Sequence, residues 1–165
     1  MLAMLGKILL AAVVLALLYF GVGFVRYAFA SDETRIRWLV EGMEEAYNAG
    51  RPGACVGPLA KDWHHDGYSI DREMLLGALF QMAHERDRET HELLSRVEVD
   101  ARAMTIRVDG EHATLTAEAQ FSRLRAGKWE VGWRLRIEAE LVDGEDGWEI
   151  VESRHQDLAG TQLGR

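Results

Sequence analysis

The sequence predicts an α+β domain in which helices pack on a curved antiparallel sheet, and three observations carry that prediction. Apolar residues recur at helical spacing up to about residue 92 and then alternate with polar ones to the C-terminus, a change of period from 3.6 to 2. Asp109-Gly110 and Ala126-Gly127 supply tight-turn chemistry between alternating runs. The run from Trp129 to Leu141 alternates well beyond the usual length of about five or six residues, so as a strand it must twist and coil around what it covers.

Ahead of the domain, residues 8–25 carry no charge and lie between Lys7 and Arg26. A run of about 20 apolar residues rising about 1.5 Å each matches the ~30 Å hydrocarbon thickness of a bilayer, so a single membrane span is expected. Residues 1–30 are then the anchor and residues 31–165 the domain. Ala28-Phe29-Ala30 before Ser31 has the pattern of a signal-peptide cleavage site. The run exceeds the roughly 7–15 residues of a signal h-region, however, and Arg26, Tyr27 and Phe29 crowd the stretch a peptidase needs extended. The expectation is an uncleaved signal anchor and a single-pass membrane protein. Its short basic N-terminus would be cytoplasmic and its domain on the periplasmic or other extracytoplasmic side.

Lys7 and Arg26 account for two of the 19 basic residues, which leaves 17 against 27 acidic ones and a formal charge of −10 on residues 31–165. Nucleic acid is excluded as a partner on that balance, and anionic headgroups are poor ones. Cys55 is alone, so no internal disulfide forms. Gly53-Ala54-Cys55 has the look of a lipoprotein box but lies far beyond the apolar run, and lipidation is rejected. No repeat or Pro/Gly/Ser-rich linker divides the domain.

Ser31 caps a first helix whose buried face is Ile36, Leu39, Val40, Met43, Ala46 and Tyr47, ended by Asn48, Gly50 and Pro52. A short irregular piece runs through Leu59 into the pre-helix segment Asp62-Trp63-His64-His65-Asp66-Gly67. Ser69 or Asp71 then caps a second long helix with the face Met74, Leu75, Ala78, Leu79 and Met82, its solvated end marked by the charged run His84 to Glu92. Strands follow at Val97 and Val99, at Met104, Ile106 and Val108, from Ala113 to Phe121, from Trp129 to Leu141, and from Trp148 to His155. One greasy face is assigned to Ala113, Leu115, Ala117, Ala119 and Phe121, and to Trp129, Val131, Trp133, Leu135, Ile137, Ala139 and Leu141. Ala117 and Ala119 beside Trp133 and Trp129 would leave a tapered cone, the usual place for a ligand, although the same side chains would also serve close packing.

Three stretches resemble the nuclear-transport-factor-2-like superfamily, which includes the SnoaL-like and ketosteroid-isomerase-like domains. They are Tyr47-Asn48-Ala49-Gly50, Leu59-Ala60-Lys61-Asp62-Trp63 leading through Asp66-Gly67 into the helix from Arg72 to Met82, and Asp146-Gly147-Trp148-Glu149-Ile150-Val151. The resemblance spans about residues 32–157 and implies a cone-shaped domain opening between helices and sheet. It also implies frequent dimerisation through the sheet. Members range from isomerases, cyclases and dehydratases to inert modules, so fold alone does not set function. Enzymatic members carry an acid or His on the cone-facing strands, and the inward positions from Ala113 to Leu141 hold none here.

Trp63, His65, Asp66, Tyr68, Phe121, Trp133 and His155 are the pocket candidates. Adjacent His64 and His65 point to opposite sides if extended, so one of them faces the cavity. No spacing fixes two metal ligands on one face, and neither a nucleophile elbow nor a phosphate-cradling glycine loop is present, so no metal, cofactor or covalent chemistry is assigned. Thr116, Glu118, Arg134 and Arg136 form a charged outer face suited to solvent, a twin copy or another subunit of a membrane complex. The expected function is a membrane-anchored, non-catalytic domain that binds a protein partner or small apolar ligand, as a homodimer. The alternative is a lyase or isomerase for a small carbonyl compound, using Asp62 or Asp66 with His65 or His155.

Overall fold

A computed structural model describes residues 29–160, and the apolar run of residues 8–25 lies outside them. None of the described helices is long and apolar enough to cross a membrane. The chain divides into two compact units between Arg35 and Ile36. In the first, Ser31 Oγ accepts from the Thr34 amide at 3.4 Å, and Arg35 meets Asp32 at 3.3 Å, which caps the first helix as expected.

The elements are α1 (Asp32–Asn48), α2 (Pro52–Val56), β1 (Leu59–His65), α3 (Arg72–His84), β2 (Ser95–Val99), β3 (Thr105–Asp109), β4 (His112–Arg125), β5 (Lys128–Gly144) and β6 (Gly147–Gly160). The sheet runs β1-β6-β5-β4-β2, and β3 pairs with the other end of β4. Every pairing is antiparallel except β1 with β6. This is the expected α+β architecture, with a core of Ile36, Val56, Trp63, Met104, Leu115, Leu141, Trp148 and Ile150 between the helices and the inner sheet face.

Helix α1 buries Ile36, Val40 and Ala46, with Leu39, Met43 and Tyr47 half-buried beside them, the face the spacing predicts. It ends where Gly50 turns to φ 65 and the Arg51 amide donates to the Ala46 carbonyl at 2.9 Å, satisfying a last-turn oxygen. Asp71 caps α3 by accepting from the Met74 amide at 2.8 Å.

Four local expectations are corrected. The stretch read as irregular and pre-helix holds α2, begun by Pro52, and the strand β1. The pairing of β1 is parallel to a strand about 90 residues later, which no local period signals. Helix α3 is apolar on both sides: Leu75, Leu76 and Leu79 lie against the core and Met82 meets the Tyr47 hydroxyl, while Met74 (54 % exposed) and Ala78 face outward. The last strand continues past His155 to Gly160.

The fourth correction concerns β5. Phe121 pairs with Trp133 but Ser122 pairs with Val131, so Gly132 is an extra residue in the ladder. One inserted residue reverses which way the preceding side chains point. Trp129 therefore lies under the Arg96 guanidinium, 4.6 Å from its ring centroid, and Val131 is 54 % exposed, while Ser122 is buried. Of the two tryptophans expected to flank a tapered space beside Ala117 and Ala119, Trp129 is turned to the outer face while Trp133 keeps the face of Phe121, and the alanines sit opposite Ile137 and Leu135. A Cβ on Gly160, at φ 76, would strike the Gly132 carbonyl, so the bulge is matched by a residue with no side chain.

Candidate functional site

The end of β1 and the middle of β6 bring two histidines together on the inner face. His65 sits opposite Ser153, and its amide donates to the Ile70 carbonyl at 3.0 Å. The Asp66 amide donates to Ser153 at 2.8 Å, so the turn at Gly67 (φ 88) is tied to both strands. His155 sits opposite Ile137 on β5. The result is a hydrogen bond of 2.8 Å between His65 Nε2 and His155 Nδ1. His64, one residue earlier, points the other way and meets Glu152 at 3.4 Å, the opposed orientation an extended segment requires.

Aromatic rings enclose the pair. Tyr68 lies parallel to His155, with 5.4 Å between centroids and 2° between planes, and stands edge-on to His65 at 5.1 Å. Trp133 meets His155 edge-on at 5.3 Å, Phe121 follows Trp133 at 5.3 Å, and Tyr47 follows Phe121 at 5.7 Å. Asp157 completes the cluster. Its Oδ1 accepts from Trp133 Nε1 at 2.7 Å and lies 3.8 Å from His155 Nε2.

The neighbours decide where the protons sit. His65 Nδ1 is buried with no hydrogen-bond partner. A buried lone pair without a donor costs less than a buried N–H without an acceptor, which favours the tautomer with Nδ1 unprotonated, against the backbone groups of His65 and Asp66 that favour the protonated ring. His65 Nε2–H then donates to His155 Nδ1, and His155 Nε2–H faces the Asp157 carboxylate. Burial, reinforced by the His155 ring, holds the His65 imidazole below its ordinary range. In that tautomer the cluster is a carboxylate, an imidazole and a second imidazole in series, ending on the lone pair of His65 Nδ1.

Five of the seven expected pocket residues, His65, Tyr68, Phe121, Trp133 and His155, therefore form one contiguous group. Trp63 is instead a core residue, 5 % exposed, and Asp66 is exposed and engaged through its backbone. Asp62 is exposed on β1. Asp157 is a member that residue type alone does not mark, and its one signal is its place two residues after His155 on the same strand face.

Elsewhere, a crevice of about 10 Å³ lies among Tyr47, Cys55, Leu79, Met82 and Ser95. Burial pushes the Cys55 thiol there up to about 11, which disfavours the thiolate. A wider groove of about 280 Å³ crosses the sheet among Glu98, Asp100, Glu118, Gln120, Arg134 and Leu158. Across the outer face Arg136 meets Glu118 at 2.7 Å and Arg154 meets Glu138, while Thr116 shares a rung with Glu138. Among the described residues no cluster of three His, Cys, Asp or Glu could hold a metal ion.

No protein-family model matches the chain, and no curated protein matches it significantly. Solved structures do. The fold is similar to that of a nuclear-transport-factor-2-like protein with a cystatin-like fold from Novosphingobium aromaticivorans, at TM-score 0.64 and 18% identity over 84% of this chain and 89% of that one. A provisionally assigned scytalone dehydratase from the same organism gives TM-score 0.63 at 11% identity over 81% and 89%. A protein of unknown function from Mycobacterium tuberculosis gives 0.63 at 18% over 79% and 72%. The described domain thus has the nuclear-transport-factor-2-like, cystatin-like fold.

Proposed function

We propose that the domain binds a small carbonyl compound beside the Tyr68, Trp133 and His155 rings and moves a proton on it, as a lyase or isomerase. The observation that carries this reading is the 2.8 Å bond between His65 and His155, which leaves His65 Nδ1 as a neutral base with a free lone pair. A proton taken by Nδ1 makes His65 an imidazolium whose Nε2–H is held by His155, and His155 is in turn faced by Asp157. Tyr68 stands edge-on to His65, is half exposed and belongs to the short turn after β1, so it offers a ring and a hydroxyl to a ligand beside the pair. The similar fold of a provisional scytalone dehydratase supports the reaction class. The test is exchange of the α-protons of cyclohexanone in D2O, followed by proton NMR with the full chain. Exchange above the buffer rate that falls about 10²-fold or more in His65→Ala supports the reading, and exchange at the buffer rate overturns it.

A second reading is a membrane-anchored, non-catalytic binding module, favoured by a core filled with Trp63 and Trp148 and by the ion-paired outer face. In it, residues 8–25 hold the chain in the bilayer with the domain on the extracytoplasmic side, and Thr116, Glu118, Arg134 and Arg136 meet a twin copy or a complex subunit. Its test is the mass of the purified chain by light scattering. A dimer that a charge reversal at Arg134 or Arg136 dissociates supports it, and a monomer throughout counts against it.

A further inference from the structure

We infer that Asp157, held in place by the indole N–H of Trp133, is the positioning residue that sets the tautomer of both histidines and so makes His65 Nδ1 the basic nitrogen; this rests on the proton-transfer reading above. Two geometric facts combine. The same oxygen of Asp157 accepts from Trp133 Nε1 at 2.7 Å and lies 3.8 Å from His155 Nε2. At 3.8 Å the second contact is electrostatic rather than a hydrogen bond, so it acts by favouring a proton on the facing nitrogen.

The opposite arrangement is unfavourable at both ends of the series. A proton on His155 Nδ1 would turn the Nε2 lone pair toward the carboxylate and oblige His65 to carry its proton on buried, partnerless Nδ1. Asp157 biases one end and the orphaned nitrogen the other, and the bond between the rings couples the two choices. Trp133 matters because Asp157 is half exposed and would otherwise turn into solvent. Asp66 and Tyr68, both in the turn after β1, also act on the pair, Asp66 by its charge on His65 and Tyr68 by stacking on His155.

Two-bond 1H–15N correlation spectra of the full chain, labelled at histidine, read the tautomer of each ring directly. Wild type is expected to show Nε2–H on both His65 and His155. Asp157→Ala should shift the tautomer ratio of both rings toward Nδ1–H by about tenfold. Trp133→Phe, which keeps the ring and removes the donor, should shift it in the same direction by less, and Asp157→Glu should restore part of the bias. Nδ1–H in the wild type, or spectra unchanged by Asp157→Ala, would overturn the inference. The expected tautomers in a protein that does not exchange cyclohexanone protons would uphold the positioning role while sinking the catalytic reading.

Discussion

The side-chain amide of Asn48 pairs with both backbone groups of Val97: Nδ2 donates to the Val97 carbonyl at 2.8 Å and Oδ1 accepts from the Val97 amide at 2.8 Å. The last residue of α1 thus takes the place of a neighbouring strand on the free edge of β2, satisfying groups that would otherwise be open to edge pairing. Asn48→Ala should cost about 2 kcal/mol, two neutral hydrogen bonds at about 1 kcal/mol each. Asn48→Asp should cost at least as much, because a carboxylate cannot donate to the carbonyl. Urea unfolding curves measure both.

The pH dependence has a defined sign. His65 has its affinity for protons lowered in the folded state, so the unfolded chain binds more protons as pH falls through about 6.5. Its contribution to stability is full above that value and declines across the window down to the folded one. Melting temperatures between pH 7.5 and 5 should fall for the wild type, and the slope should flatten in His65→Asn.

The bulge at Gly132 separates Trp133, beside His155, from Trp129 on the outer face, and the buried Trp148 of β6 gives the comparison. Trp148 is 6 % exposed in the core, so Trp148→Ala should cost about 3–5 kcal/mol. Trp129→Ala should cost well under half as much, since the ring lies on the outer face beneath Arg96. Trp133→Phe should cost about 1 kcal/mol, chiefly the bond to Asp157. Equal costs for Trp129 and Trp148 would contradict the register.

Arg136→Ala removes an exposed pair with Glu118 and should change monomer stability by less than about 1 kcal/mol. The same substitution weakens self-association only if the outer face is an interface. Sedimentation at several concentrations separates the two effects.

Much of this was legible in the residues. Ile36, Val40 and Ala46 recur at helical spacing, and Ala113, Leu115, Ala117 and Ala119 alternate, so the buried faces of α1 and β4 could be read directly. Asp109-Gly110 marked the β3–β4 turn, where Gly110 has φ 61. Residue type marks His65 and Tyr68 around the pre-helix turn, alternation marks Phe121 and Trp133 on an inward face, and these four meet His155 of the last strand in one group. A perfect period of two runs straight through Gly132, so it assigns Trp129 and Val131 to the face opposite the one they occupy. Nothing in the local pattern announces that β4 has one residue fewer to offer at that point.

What the sequence determined by itself is the class of fold, the acidic character of the domain and the apolar run of residues 8–25, since these depend on composition and on periods that neighbouring residues set. The tertiary structure alone decided that β1 joins the sheet parallel to β6, that Gly132 reverses the rim of β5, and that Asp157 and Trp133 close the series that begins at His65. Those three facts depend on the register between strands far apart in the chain, where one residue of shift changes every contact beyond it.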